Sequence, residues 1–323
     1  MISSLLHPHP IPKVSETPKD NSINGTEAES FAMSRVLLAC RGEGYWGSRA
    51  EDNSKIDLLF SAPHPWINNE RMLILSQVKS GPAYGKETEK GYVLNRLAKI
   101  SAIRTTHDIC VVWVERKSSK AYWAYLHPGS LRKDQIYGVQ HEVSPAMIYD
   151  LARCMAQSNI GAVGGAGIII KDREGTNLKI RRQFIKGIYK GLAEIVSPVL
   201  GGIIFTDLAW RHMFRQSRGL NNKSASLNII PYLAKILTQY PTTHSITDVK
   251  FFQRAGFVYR RCEYLLKYNR VSISEPGSEV EKVVAHVRLV EEIRFPAKWA
   301  ELAMLTQLVD RRVVLKSAYY KHD

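Results

Sequence analysis

Asp57 and the run Gln77-Val78-Lys79-Ser80-Gly81 carry the residue types that phosphoester chemistry needs. A carboxylate is a hard-oxygen ligand for a divalent cation, and a lysine amine is a compact charge whose pKa its surroundings can move. Ile56-Asp57-Leu58-Leu59-Phe60 predicts a strand, with one carboxylate among β-favouring apolar residues. Met72 to Lys79 predicts a second strand, stopped by Ser80-Gly81-Pro82. Gln77 and Lys79 are two apart, so strand geometry sends both to one face and Val78 to the other. Pairing of the two strands would then gather Asp57, Gln77 and Lys79 at one polar spot on a sheet edge. Residues 61–70, with Pro63, Pro65, Asn68 and Asn69, supply a hairpin-like connection.

This arrangement resembles the PD-(D/E)XK superfamily, the restriction-endonuclease-like nucleases, in its Gln-x-Lys variant followed by Ser-Gly. The resemblance implies an α/β fold, a mixed sheet flanked by helices, and Mg²⁺ (or Mn²⁺) as cofactor. It implies a catalytic set of Asp57, Gln77, Lys79 and Glu29, with Asp57, Glu29 and Gln77 as metal ligands and Lys79 orienting and helping to deprotonate the attacking water. Glu29 heads the amphipathic run ending at Ala39, and Glu27 is the alternative. Gln77 stands where an acid is usual. Its carbonyl can ligate a metal but brings no negative charge, so the expected affinity is lower.

The elements that must position these residues come next. A chain of 323 residues suggests two domains, each long enough to bury a core. The expected division is a tail over 1–26, a nuclease-like domain over 27–160, a linker over 161–178 and a smaller basic α+β domain over 179–323. Helix one is predicted from about Glu27 to Cys40, and 82–91 as a polar loop bringing Tyr84 and Lys86 beside the site. A helix follows over 93–105, then a hairpin of Ile109–Glu115 and Ala121–Leu126 with Trp113, Tyr122 and Trp123 as sheet core. A helix near 144–158 closes the first domain. The glycines of 161–167 lack the spacing of a phosphate loop and predict a flexible turn. His7-Pro8-His9-Pro10 reads as tail rather than metal site.

Net charge is +15, and it is unevenly spread: residues 1–175 carry net +3, residues 176–323 net +12. Such an excess favours a polyanionic partner, nucleic acid first, through phosphate neutralisation and counterion release. The four cysteines, Cys40, Cys110, Cys154 and Cys262, are scattered without zinc spacing and read as buried thiols of a reducing compartment. The apolar run Ile195–Trp210 is broken by Pro198, Gly201, Gly202 and Asp207, so no membrane span, no signal peptide and a cytoplasmic protein are expected.

In the second half, 179–197 predicts a basic helix, with Arg181, Arg182 and Lys186 against Ile180, Phe184, Ile185, Ile188 and Leu192. Thr206 or Asp207 caps a further helix to Arg218, on which Arg211, Arg215 and Arg218 recur at i, i+4, i+7 beside His212. A helix near 227–239 and strands at 255–271, 280–294 and 311–322 complete the chain. Helices followed by a meander ending in Lys316-Ser317-Ala318-Tyr319 resemble the barnase–EndoU–colicin–RelE-like ribonucleases, over residues 200–321. That resemblance implies a metal-free RNA-cleaving site of His212, Arg211, Arg215, Ser317 and Tyr319. Arg181, Arg182, Lys186 and Arg218 are the expected nucleic-acid contacts.

The combined expectation is a Mg²⁺-dependent endonuclease of DNA, RNA second, in bacterial anti-phage defence or a mobile element. It acts as a homo-oligomer, with a protein partner or phage trigger. The alternative is a decayed nuclease-like domain that binds or senses nucleic acid or a phage protein, with metal-independent RNA cleavage by the second domain.

Overall fold

The computed structural model describes residues 21–47, 56–95, 107–128, 136–158, 167–171, 177–274, 279–302 and 304–322. Its described residues fall into two compact units, the first drawn from 1–35, 45–59 and 75–143 and the second from 36–44, 60–74 and 144–323. The architecture is mixed α/β, in line with the expected class. The histidine-proline repeat and nearly all of the 161–167 glycine run lie outside the described residues.

Helix α1 spans Asn21–Cys40, beginning before the expected Glu27. Ala28, Ala32, Val36 and Ala39 recur at helical spacing and are buried, giving one narrow face of small side chains. The helix ends at Arg41, which takes a left-handed φ of 54°, and Gly42 N–H donates back to Leu37 O at 3.0 Å. Strands β1 (Glu43–Trp46), β2 (Leu58–Pro63), β3 (Arg71–Ser80), β4 (Gly85–Thr88), β5 (Gly91–Leu94), β6 (Ile109–Glu115), β7 (Lys120–Leu126) and β8 (Ile136–Gly138) follow.

One sheet has the order β1-β2-β3-β6-β7, and β4-β5-β8 form a second, three-stranded sheet. β3 and β6 run parallel, with Gln77 beside Val111 and Lys79 beside Trp113. β6 is apolar and buried on both faces, as a central strand must be. The expected β6–β7 hairpin forms, turning at Ser119 with φ 51°. Trp113, Tyr122 and Trp123 are buried as expected, and Tyr92 stacks on Trp113 with ring centroids 5.8 Å apart.

Three sequence expectations are corrected here. Asp57 precedes β2 rather than lying within it. Residues 85–88, expected as loop, form β4, because pairing with β5 overrides the weak β preference of Gly-Lys-Glu-Thr. Val93 and Leu94, expected to open a helix, close β5 instead, and the rest of that helix falls mostly outside the described residues.

The second unit holds α2 (Met147–Ser158), β9 (Ile168–Lys171), α3 (Leu178–Lys190), β10 (Ile195–Ser197), β11 (Gly201–Ile203), α4 (Asp207–Met213), α5 (Leu220–Ile229), α6 (Leu233–Leu237), β12 (Thr243–Arg254), β13 (Phe257–Ser274), β14 (Glu281–Pro296) and β15 (Asp310–His322). Its sheet runs β12-β13-β14-β15 antiparallel, with β9 added in parallel to the end of β13. Alternation sets the core. Leu266, Val287 and Ala318 lie in register and are buried, together with apolar residues of α3 to α6.

Two helices stop earlier than their sequence pattern. α3 ends at Lys190, where Gly191 N–H bonds Gly187 O, and a β10–β11 hairpin with Gly201 at φ 61° replaces the remainder. The face α3 buries is Arg181, Ile185 and Tyr189, while Ile180 and Phe184 are exposed, against the expected apolar stripe. α4 starts as expected, with Thr206 Oγ1 accepting from Ala209 N–H at 3.3 Å. It ends at Met213, whose carbonyl accepts from the Arg218 guanidinium at 3.5 Å. Arg215 and Arg218 therefore sit in the turns beyond it, and the predicted helical arginine stripe does not exist.

Candidate functional site

Asp57 and Lys79 meet as predicted. Asp57 N–H donates to Ser76 O at 3.0 Å, which fixes the residue beside β3 just before β2 begins. Its Oδ2 accepts from Val78 N–H at 2.6 Å and lies 3.9 Å from Lys79 Nζ. Both side chains are largely buried, so their attraction is worth about 4 kcal/mol before desolvation at an effective dielectric of 20, against about 1 in bulk water. Lys79 Nζ also donates to Val78 O at 3.1 Å and lies 5.8 Å from the Tyr84 ring centroid. The ammonium is thus held by a carboxylate, a carbonyl and a ring.

Lys79 opens on a cleft of about 560 Å³ whose wall includes Glu29, Ser80, Tyr84 and Arg116. Glu29 from α1 and Lys79 from β3 are thereby brought to one cavity, the second pairing the sequence predicted. Gln77 is completely buried and does not line this cleft, although Val78 and Ser80 on either side of Lys79 do. Glu27 is exposed.

The loop after β3 is pinned by aromatic and backbone contacts. Gly81 takes φ 80°, its N–H donates to Val114 O at 3.2 Å, and its carbonyl accepts from Trp113 Nε1 at 3.0 Å. A Cβ at Gly85 would come within 2.6 Å of the Trp113 ring, so only glycine lets the chain re-enter β4 here. Arg116, just past β6, donates to Ser80 Oγ at 3.1 Å. Sequence reading missed Arg116. Its signal was the parallel pairing of β3 with β6, which brings the ends of both strands to one place.

The donor chemistry fits a hard divalent cation. Asp57 and Glu29 offer carboxylates, and Mg²⁺ characteristically takes one or two of these and keeps several waters. Among the described residues, no group of three or more His, Cys, Asp or Glu side chains comes together. Glu29 lines the cleft, whereas Asp57 does not and is joined to it through Lys79.

The second constellation assembles only in part. His212 lies among Arg215, Lys316 and Arg218. Burial first, then those cations, holds its imidazole below the usual histidine value, against a smaller upward pull from Glu263. The Arg218 guanidinium stands over the Tyr319 ring at 5.3 Å. Ser317 is buried, and Arg211 is exposed on α4. Of the expected nucleic-acid contacts on α3, Arg181 is buried, Arg182 lies over Phe214 at 5.3 Å, and Lys186 is exposed.

No family model, curated protein or solved structure matches the chain. Among the described residues no helix is long and apolar enough to cross a membrane.

Proposed function

We propose that the first unit is a metal-assisted nuclease that hydrolyses phosphodiester bonds, DNA first and RNA second, at the cleft shared by Lys79 and Glu29. The observation that carries this reading is the Asp57 carboxylate held 3.9 Å from the Nζ of Lys79, which itself lines that cleft. The succession of α1, β1, β2 and β3 followed by a parallel β6 supports a PD-(D/E)XK-like fold for this unit. Asp57 and Glu29 are the residues that would hold Mg²⁺ or Mn²⁺. A cation held there would supply Lewis-acid polarisation of a phosphoryl oxygen and a more acidic water. Lys79 orients the attacking water and offsets charge on the phosphate, and its contacts to Asp57 and Val78 keep it from swinging away. Arg116, on the same wall, is placed to grip a neighbouring phosphate. Gln77, buried within β3, acts by positioning rather than by ligation.

The test is nicking of plasmid DNA with Mg²⁺ and with EDTA, alongside calorimetric titration of Mn²⁺. Lys79→Ala is expected to lower the rate roughly 10²- to 10⁴-fold with Mn²⁺ still bound. Asp57→Ala is expected to abolish both. Cleavage at the wild-type rate by Lys79→Ala overturns the assignment.

A second reading draws on the gathering of His212, Arg215, Arg218 and Tyr319: metal-independent RNA cleavage by the second unit, with neutral His212 as base. EDTA-resistant RNA loss that disappears in His212→Ala supports it. Its persistence in that variant removes it.

A further inference from the structure

On the β13–β15 sheet of the second unit, the face opposite Leu266, Val287 and Ala318 carries cations that neither cleavage reading uses, Lys267, Arg288 and Lys321. Beside them are Tyr319, Arg215 and Arg218, which the RNA-cleavage reading shares. Lys267, His286 and Tyr319 stand in register across β13, β14 and β15. Arg288, two residues along β14, is exposed beside them, and Lys321, two residues along β15, is exposed on the other side. Arg218 reaches over Tyr319 from the turn after α4, bringing Arg215 into the same field.

These cations repel one another. Burial first, then Lys267, Lys321 and Arg288, holds His286 below its usual value. Burial first, then Arg215 and Arg288, does the same to Arg218, against an opposing effect of Tyr319. The carboxylate in this field, Glu263, is engaged with both oxygens by Lys316 at 2.5 and 2.6 Å. Glu281, near the start of β14, is taken by His322 at 2.8 Å. A face this rich in cations, with its nearby carboxylates already engaged, is complementary to a polyanion.

Charge alone does not choose among polyanions, but the rings do. The His286 and Tyr319 rings are stacked, 11° from coplanar with centroids 5.2 Å apart, and the Arg218 guanidinium adds a third planar group 5.3 Å above Tyr319. Planar groups set among cations on a sheet are the two ingredients of single-strand recognition: stacking for bases and ammonium or guanidinium groups for the backbone. A duplex hides its base faces and cannot use the first.

We propose that this face of the β13–β15 sheet binds single-stranded nucleic acid, with Lys267, Arg288, Lys321 and Arg215 on phosphates and the His286–Tyr319–Arg218 stack receiving a base. It uses none of the residues that line the Lys79 cleft, and its occupancy does not require cleavage.

Binding is therefore measured in EDTA with the full-length Lys79→Ala chain, using a labelled oligonucleotide of mixed sequence as single strand and as duplex. The expected result is tighter binding of the single strand. Arg288→Glu/Lys321→Glu, both at exposed positions, lowers that affinity at least about tenfold and flattens the salt dependence by roughly 1.4 in log–log slope, about 0.7 per lost phosphate contact. His286→Ala weakens the single strand several-fold and leaves the duplex unchanged. An unchanged melting temperature for each variant shows that the fold is retained. Wild-type affinity and slope in the double variant overturn the site. Equal affinity for both strand forms with a silent His286→Ala overturns the choice of a single strand. A cleavage defect in the Lys79 cleft affects neither outcome.

Discussion

Glu291 shows at single-residue scale how this chain manages buried charge. It accepts from Arg311 at 2.7 Å, Arg153 at 2.9 Å, Tyr264 at 3.1 Å and Arg260 at 3.4 Å, and both arginines of β13 and α2 also bind Asp150. Burial pushes the Glu291 carboxyl up, but Arg153, Arg311 and Arg260 more than reverse this and hold it well below the usual range. His244 answers to the same charges: burial first, then Arg153, lowers its pKa from 6.5 to about 4. The signs follow from linkage. An unfolded His244 takes up a proton near 6.5 and the folded one only near 4, so its contribution is complete above 6.5 and lost as pH falls to 4. Glu291 contributes above its unfolded value of 4.5, and that contribution is lost as pH falls below it. Urea midpoints at pH 7, 5 and 4 are thus expected to drop, and His244→Gln to recover up to about 3 kcal/mol of the loss between pH 7 and 4. An identical pH slope in the variant would remove His244 as its source. None of this was legible in the sequence. Asp150 and Arg153 share a turn of α2, but Glu291 and Arg260 join them only through long-range contacts, whereas Asp57 and Lys79 were legible because adjacent strands and a hairpin connection join them.

At the scale of elements, β13, β14 and β15 were readable from alternation, whereas β12, exposed along most of its length, the short β9 to β11 and the ends of helices were not. Where α4 stops, the Arg218 guanidinium donates to the carbonyl of its last residue, Met213, and Arg218 N–H closes a turn onto Arg215 O, contacts that no periodicity announces. β4 was read as loop because its residues have little intrinsic preference for a strand. Its existence depends on β5 and on Gly85 lying flat against Trp113. Gly85→Ala puts a methyl group 2.6 Å from ring atoms that are fully buried and cannot retreat. The expected cost is about 1–3 kcal/mol of stability. The displaced turn carries Gly81 and Tyr84, so the same substitution should lower the DNA cleavage rate while Mn²⁺ affinity stays within about twofold. A variant with wild-type melting temperature and rate would show that the loop does not depend on this contact. The converse signal, a small residue before a polar run that follows a strand, is too common to have been singled out beforehand.

At the scale of the whole chain, the second unit is not contiguous in sequence, and this bears on any attempt to isolate it. The sequence places a linker over 161–178, yet residues 60–74 and α2 belong to the later unit by their contacts. Trp66 Nε1 donates to Pro198 O at 3.3 Å, the Trp66 side chain packs where a Cβ on Gly201 would stand, and the Arg311 guanidinium lies 5.2 Å over its ring. Asp150 and Arg153 supply one of two carboxylates and one of three guanidiniums in the buried ion cluster. A fragment of residues 161–323 would leave Arg260 and Arg311 sharing the single carboxylate of Glu291, and would uncover the surface that Trp66 covers. Breaking a buried ion pair by removing one partner costs about 3–5 kcal/mol, a large share of the roughly 5–15 kcal/mol by which a domain is stable. That fragment is expected to be insoluble or to melt without a cooperative transition, despite holding the whole β12–β15 sheet and most of the positive charge. A fragment beginning at residue 36 retains residues 36–44 and 60–74 and α2 and is expected to melt cooperatively. Cooperative unfolding of 161–323 at the full-length melting temperature would show that the hairpin tip and α2 are dispensable to the second unit.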